Sequence, residues 1–264
     1  MNVNVADLAI TSLETITAFD AATGAYRFTL DELQNATLSQ TQDQVEITGR
    51  QGRRLAILKR NKAVTISGSN GLVSSGLLEL QTGNTFTNGV TTVQWTDYLA
   101  VTSNKATTTY KAIGTAGAEI IDLYVKQSNN VLGTHLEQDA SAASGKYAYD
   151  PATKELTFSG IEDGTEIAVY YKRNITANVL ANASDSYSTT CTLYVDALAE
   201  DSCANVYRIQ IYIPKASFSG EFSLELGDDQ TVHDFEAEAL GGACGLAANL
   251  WTYTIFGVNT EDAA

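Results

Sequence analysis

A chain of 264 residues can bury roughly three quarters of the surface that its unfolded form exposes. With 44% hydrophobic and 18% charged residues it should fold, as one large domain or two ordinary ones. Its 16 Lys and Arg stand against 31 Asp and Glu, a formal net charge of −15, which argues against nucleic-acid binding because phosphate affinity comes from cations.

The amino-terminal MNVNVADLAITSLE lacks the basic and apolar regions of a secretory signal, and nowhere do 18 apolar residues run together. Cys191, Cys203 and Cys244 form no C-x-x-C pair, so a disulfide framework or zinc knuckle is not expected. Reduced thiols in a protein made in the cytoplasm are.

Thirteen Tyr with many Thr and Val favour strands over helices. AYRFTL (25–30) alternates as a strand, and DELQNATLSQTQD (31–43) reads as a polar connection. GRQGRRLAILKRNK (49–62) then concentrates Arg50, Arg53, Arg54, Lys59, Arg60 and Lys62 with no acid among them. That is six of the 16 cations in one short stretch, either a solvated turn or half of an interaction. KAVTISG (62–68) is a strand. SNGLVSSGLLELQTG predicts a short helix capped by Ser69 or Asn70, with Val73, Leu77 and Leu80 on one face and Gly83 at its end. Two internal glycines weaken it by about 1 kcal/mol each, so it needs a sheet to pack on.

From Val90 to about Arg173 the pattern is a meander of strands: TTVQWTDYLAV, ATTTYKAI, EIIDLYV, a hairpin KYAYDPATKELTF turning at Asp150-Pro151, and IEDGTEIAVYYKR. TTCTLYVDAL and NVYRIQIYIPKA follow as strands, the second stopped by Pro214. GEFSLEL puts Phe222, Leu224 and Leu226 opposite Glu221, Ser223 and Glu225. HDFEAEAL sets Phe235, Ala237 and Ala239 opposite Asp234, Glu236 and Glu238. Paired as a hairpin, the two runs would share an acidic face. From Ala216 onward there are nine acids and no Lys or Arg. Such a face is either solvated or built to repel something anionic.

Signatures of chemistry are missing. No H-E-x-x-H, G-x-S-x-G, P-loop or dinucleotide-binding glycine pattern occurs, and acid-rich IEDGTE and GDDQ lack EF-hand spacing. His233 beside Asp234 has no nucleophile signalled nearby. The expectation is a protein that is not an enzyme, with no catalytic residue, metal or cofactor.

EITGRQGRRLAILKRNKAVTISGSNGLVSSGLLELQTG, together with VYRIQIYIPKASFSGEFSLELGDDQTVHDFEAEAL and LWTYTIFG, resembles the major tail tube proteins of long-tailed phages of Gram-positive hosts. The resemblance implies a mainly β fold, a tail-tube β-sandwich or barrel with a flanking helix. It makes 1–88 and 175–264 one discontinuous tube domain, and the length and position of 89–174 make it an expected inserted β subdomain facing outward. It also implies hexameric rings stacked into a tube that conducts the genome without binding it specifically. Further implications are contacts with initiator, terminator, tape-measure and, in a contractile tail, sheath proteins, with assembly in the host cytoplasm and residence in the virion tail. On this reading Glu221, Glu225, Asp234, Glu236 and Glu238 line the lumen, and the basic cluster joins stacked rings. The alternatives are a virion adhesin or carbohydrate-binding module, for which Tyr147, Tyr149, Tyr170 and Tyr171 are the eligible aromatics, and a hydrolase with paired carboxylates.

Overall fold

The computed structural model describes residues 7–127, 131–224, 232–241 and 249–257. The chain forms two compact units, Met1–Phe86 with Leu180–Ala264, and Thr87–Val179. In chain order the first unit supplies β1 (Leu8–Asp20), β2 (Tyr26–Leu30), β3 (Leu33–Thr48), β4 (Arg54–Asn70) and α1 (Ser75–Thr82). The second supplies β5 (Thr87–Ala100), β6 (Lys105–Thr107), β7 (Ile120–Lys126), β8 (Leu132–Gln138), β9 (Lys146–Asp150), β10 (Glu155–Thr157) and β11 (Glu166–Val179). The first resumes with β12 (Thr190–Asp201), β13 (Val206–Phe218), β14 (His233–Ala239) and β15 (Thr252–Gly257). The fold is mainly β, with curled sheets and one helix among the described residues.

In the first unit the sheet runs β2-β1-β12-β13-β14-β4-β3, and β15 also pairs with β13. Period-two alternation decides which way each side chain points. On β12 and β14 every second residue is buried, and Ile16, Leu30, Val64, Ile66, Leu193, Ile213 and Phe235 converge in one core. α1 closes that core with Leu77 and Leu80. Its cap is Ser74, whose side chain accepts from the Leu77 N–H, and it ends where Gly83 turns left-handed (φ 72°). Gly76 lets the helix sit close on β2, because a Cβ there would lie 2.7 Å from Phe28 Cβ.

Several expectations from the sequence are corrected. Ser69 and Asn70 belong to β4 and do not cap the helix. Val73 precedes the helix and is exposed, and Gly76 is its one internal glycine. The stretch read as a polar connection (31–43) lies largely in β3, which pairs with β4 from Leu33↔Asn70 to Thr48↔Arg54. The basic stretch is therefore no loop. Arg50 to Gly52 make one 3-10 turn at the tip of a long hairpin, and Arg54, Lys59, Arg60 and Lys62 stand on its returning strand.

Pro214 does not stop β13. A register shift opposite Cys191 and Leu193 accommodates it, and the Thr192 hydroxyl donates to its carbonyl oxygen at 2.9 Å. GEFSLEL does not form a strand within its described part: Glu221 to Ser223 are irregular, and only Leu224 bridges to His233. Glu225 lies outside the described residues, as does Cys244.

The second unit has the order β5-β11-β7-β8-β9-β10-β6, with β8 and β9 parallel. Its core includes Leu123, Leu136, Tyr147, Leu156, Phe158, Ile167, Val169 and Tyr171. ATTTYKAI forms only the short β6, because side chains replace a ladder as partners for its backbone. The Thr109 N–H donates to Asp97 Oδ2, the Tyr110 N–H to the Tyr171 hydroxyl, and the Ala112 N–H to the Tyr149 hydroxyl. Burial pushes the Asp97 carboxyl up, but hydrogen bonds from Thr109, Tyr171 and Trp95 outweigh it and hold the group below its ordinary range.

Candidate functional site

On β14 the alternation predicted from HDFEAEAL holds. Phe235, Ala237 and Ala239 are buried, and Asp234, Glu236 and Glu238 project from the opposite face. Register gives each acid a row of small polar neighbours. Asp234 lies beside Ser69 and then Asn35, Glu236 beside Ser67 and Thr37, and Glu238 beside Thr65 and Ser39, with Ser217 on its other side. Successive acids are about 7 Å apart along the strand, so each adjacent pair repels by roughly 0.6 kcal/mol in water before salt screening.

Glu221 joins them across a groove shared with Glu236, Thr37 and Ser67, where Ser223 donates to Asp234 Oδ2 at 2.9 Å. Among the described residues none of these four acids is in an ion pair. The sequence signal for the hydroxyl rows was present, since Thr37/Ser39/Thr41 and Thr65/Ser67/Ser69 both repeat with period two. On β4 that row alternates with buried Val64 and Ile66 and reads as a strand, whereas on β3 only Ala36 and Leu38 oppose it and the stretch reads as a connection.

The basic residues occupy a second surface on the same unit. Residues 50–62 are exposed along the whole outer half of the β3–β4 hairpin. Of the six cations only Arg54 has an anionic partner among the described residues, Glu46 at 2.6 Å. Interleaved with them are exposed Leu55, Ile57 and Leu58, with Ile47 across the hairpin. A two-stranded ribbon with apolar and cationic side chains in water is marginal by itself, and such a surface is suited to a partner.

His233 is structural. Fully buried beneath α1, it accepts the Ser74 N–H at Nδ1 (3.3 Å) and meets Gln81 Oε1 with Nε2 (2.9 Å). That tautomer carries its proton on Nε2, leaving no room for a second proton facing the Ser74 N–H. Burial pushes its pKa down, against a smaller upward pull from Asp234. The unfolded state therefore binds a proton near pH 6.5 that the native state refuses. Stability should be full above that value and fall as pH drops from it toward the lowered native pKa, at about 1.4 kcal/mol per unit of depression. Denaturant titrations between about pH 7.5 and 5.5 check this. His233→Leu should be less stable at neutral pH and lose this component of the pH slope.

The aromatics named for an adhesin reading separate. Tyr147 and Tyr171 are core, and Tyr149 is half-buried with its hydroxyl bound to the Ala112 N–H. Tyr170 points to the opposite face from its neighbour Tyr171. Among the described residues no group of three or more His, Cys, Asp and Glu is placed to hold a metal ion. No helix among the described residues is long and apolar enough to cross a membrane. Cys191 is a buried thiol, pushed up to about 12 by burial, and Cys203 is exposed and free.

No curated protein matches the chain in sequence. The sequence profile of the YomU/Tube protein family matches residues 8–246, which takes in both units. The chain thus belongs to the YomU/Tube family, and with it to the structural tube proteins derived from phages.

Proposed function

We propose that this chain is the repeating subunit of the tail tube of a long-tailed phage with a Gram-positive host. Hexameric rings stack into a conduit whose lumen carries Asp234, Glu236, Glu238 and Glu221. The observation that supports this most is the pattern on β14, where three acids head rows of Ser, Thr and Asn side chains and no cation interrupts them. B-DNA carries about one charge per 1.7 Å of axis, and cations would hold it through counterion release. Carboxylates and short hydroxyls give phosphate nothing to grip, and Lys215, in phase with Ser217 on β13, stands beside the Glu238 row rather than within it.

β2 and β3 are the two ends of the main sheet order. Pairing the free edge of one copy with that of the next would satisfy their backbone groups and close a ring. The β3–β4 hairpin then reaches the neighbouring ring. Leu55, Ile57 and Leu58 supply buried area there, and Arg50, Arg53, Arg54, Lys59, Arg60 and Lys62 meet an acidic rim that fixes register. In this arrangement the Thr87–Val179 unit lies outside the tube, and the ends of the tube meet initiator, terminator and tape-measure proteins.

Lumen placement is tested by cysteine labelling. In a Cys203→Ser, Cys244→Ser background, Glu236→Cys should react with a bulky maleimide in monomers and be protected after assembly. Equal labelling before and after assembly would remove the acidic face from the lumen.

A further inference from the structure

The second unit carries an aromatic surface to which the proposed ring and stacking contacts assign no role. Its β5, β11, β7 and β8 lie side by side, and their register aligns Tyr98, Ala168, Tyr124 and His135 in one row across the sheet. The next row places Tyr170 between Thr96 and Asp122. All of these lie on the face opposite the core residues Ile167, Val169 and Tyr171. Tyr124 is 5.0 Å from the His135 ring and 6.5 Å from the Tyr170 ring. Ala168 is fully covered between the flanking rings, whereas Tyr98 remains 63% exposed.

The charged groups in this patch are matched. Lys126 stands 4.8 Å over the Tyr98 ring and binds Glu166 at 2.9 Å, and His135 Nε2 is 3.2 Å from Asp122 Oδ1. Among the described residues the cations of these two rows are paired, and Lys172, exposed two residues beyond Tyr170 on the same face, is a single unpaired cation at the margin, too little for a polyanion or an anionic lipid surface. The apolar area is broken by polar groups between the rings, unlike the dry centre of a protein interface. The rings are set at angles, Tyr124 at 78° to Tyr170 and 47° to His135, and such angled π-faces beside carboxylate, imidazole and ammonium groups suit a ligand with apolar C–H faces and hydroxyl edges.

We infer that the Tyr98–Tyr124–Tyr170 face of the second unit is a binding platform for a neutral saccharide. A pyranose ring stacks on Tyr98 and Tyr124 across Ala168, with Tyr170 beside it. Free lone pairs on Asp122 and Glu166 accept from its hydroxyls. The platform belongs to a single subunit, so it operates in the monomer and in the tube alike.

The test is calorimetric titration of the full chain with neutral oligosaccharides of glucose, galactose and N-acetylglucosamine, neutral bacterial wall polysaccharide, and heparin as the polyanion. The expected result is saturable binding to at least one neutral saccharide and none to heparin. Tyr98→Ser, at the most exposed ring, and Tyr98→Ala with Tyr170→Ala should weaken that binding by about tenfold or more without changing thermal unfolding or tube formation. Tyr253→Ala, an exposed tyrosine of the first unit, should have no effect. Absence of binding to every neutral probe, binding to heparin alone, or binding indifferent to Tyr98→Ser would each overturn the inference. None of these outcomes bears on whether the chain forms tubes.

Discussion

Replacing Arg53 and Arg54 together by Glu is expected to block stacking while leaving the subunit folded. Both side chains are exposed near the tip of the β3–β4 hairpin and touch nothing in the core. Substitutions of this kind change fold stability by about 0.5 kcal/mol or less. Their effect on assembly is larger, because every subunit in a ring repeats it. Each exposed pair contributes about 0.2–1 kcal/mol, and reversal turns attraction into repulsion at each contact. The concentration needed for polymerisation should rise by about one to three orders of magnitude, read by sedimentation alongside an unchanged denaturation curve. Arg54 also holds Glu46. Arg50→Glu with Arg53→Glu leaves that pair intact and should give the same loss. Wild-type stacking should weaken with added salt, since the contacts are exposed. Normal polymerisation of both variants would remove the hairpin cations from the interface.

Reversing the charge of the face proposed to line the lumen is expected to make tubes of this chain bind DNA. Asp234→Lys, Glu236→Lys and Glu238→Lys change side chains that point away from the core, so the β14 alternation and Phe235 packing stay in place. Wild-type tubes should retain no duplex DNA at any salt concentration. Tubes of the triple variant should retain it at low salt and release it steeply as salt rises, with a log–log slope of roughly −0.9 per phosphate contacted. Variant tubes that ignore DNA as wild-type tubes do would show that this face is not on the path.

How much of this was legible depended on the kind of signal. HDFEAEAL was read correctly because its apolar residues alternate with charge, and burial follows that alternation directly. Leu77, Leu80 and Gly83 were legible for the same reason in a helix, where spacing and a left-handed cap are local properties. β3 was missed because polar residues dominate both faces from Leu33 to Gln42, with only Leu33, Ala36 and Leu38 apolar. Its strand character comes from the ladder with β4, a long-range pairing that no local pattern announces. The same ladder turned an expected basic loop into a strand. Pro214 misled because a bulge can absorb a missing donor. The tyrosine face needed the register of four strands, which brings Tyr98, Tyr124, Tyr170 and His135 together from distant segments. The sequence could say only that Tyr170 and Tyr171 point apart.

The roles proposed for the acidic face and the basic hairpin both depend on self-assembly into a hollow tube. Negative-stain electron microscopy of the purified chain, concentrated and left to stand, tests it most directly. Rings and stacked tubes with a wide central channel are the predicted result. Particles that stay monomeric, even when tail-initiator proteins are added, would contradict the account.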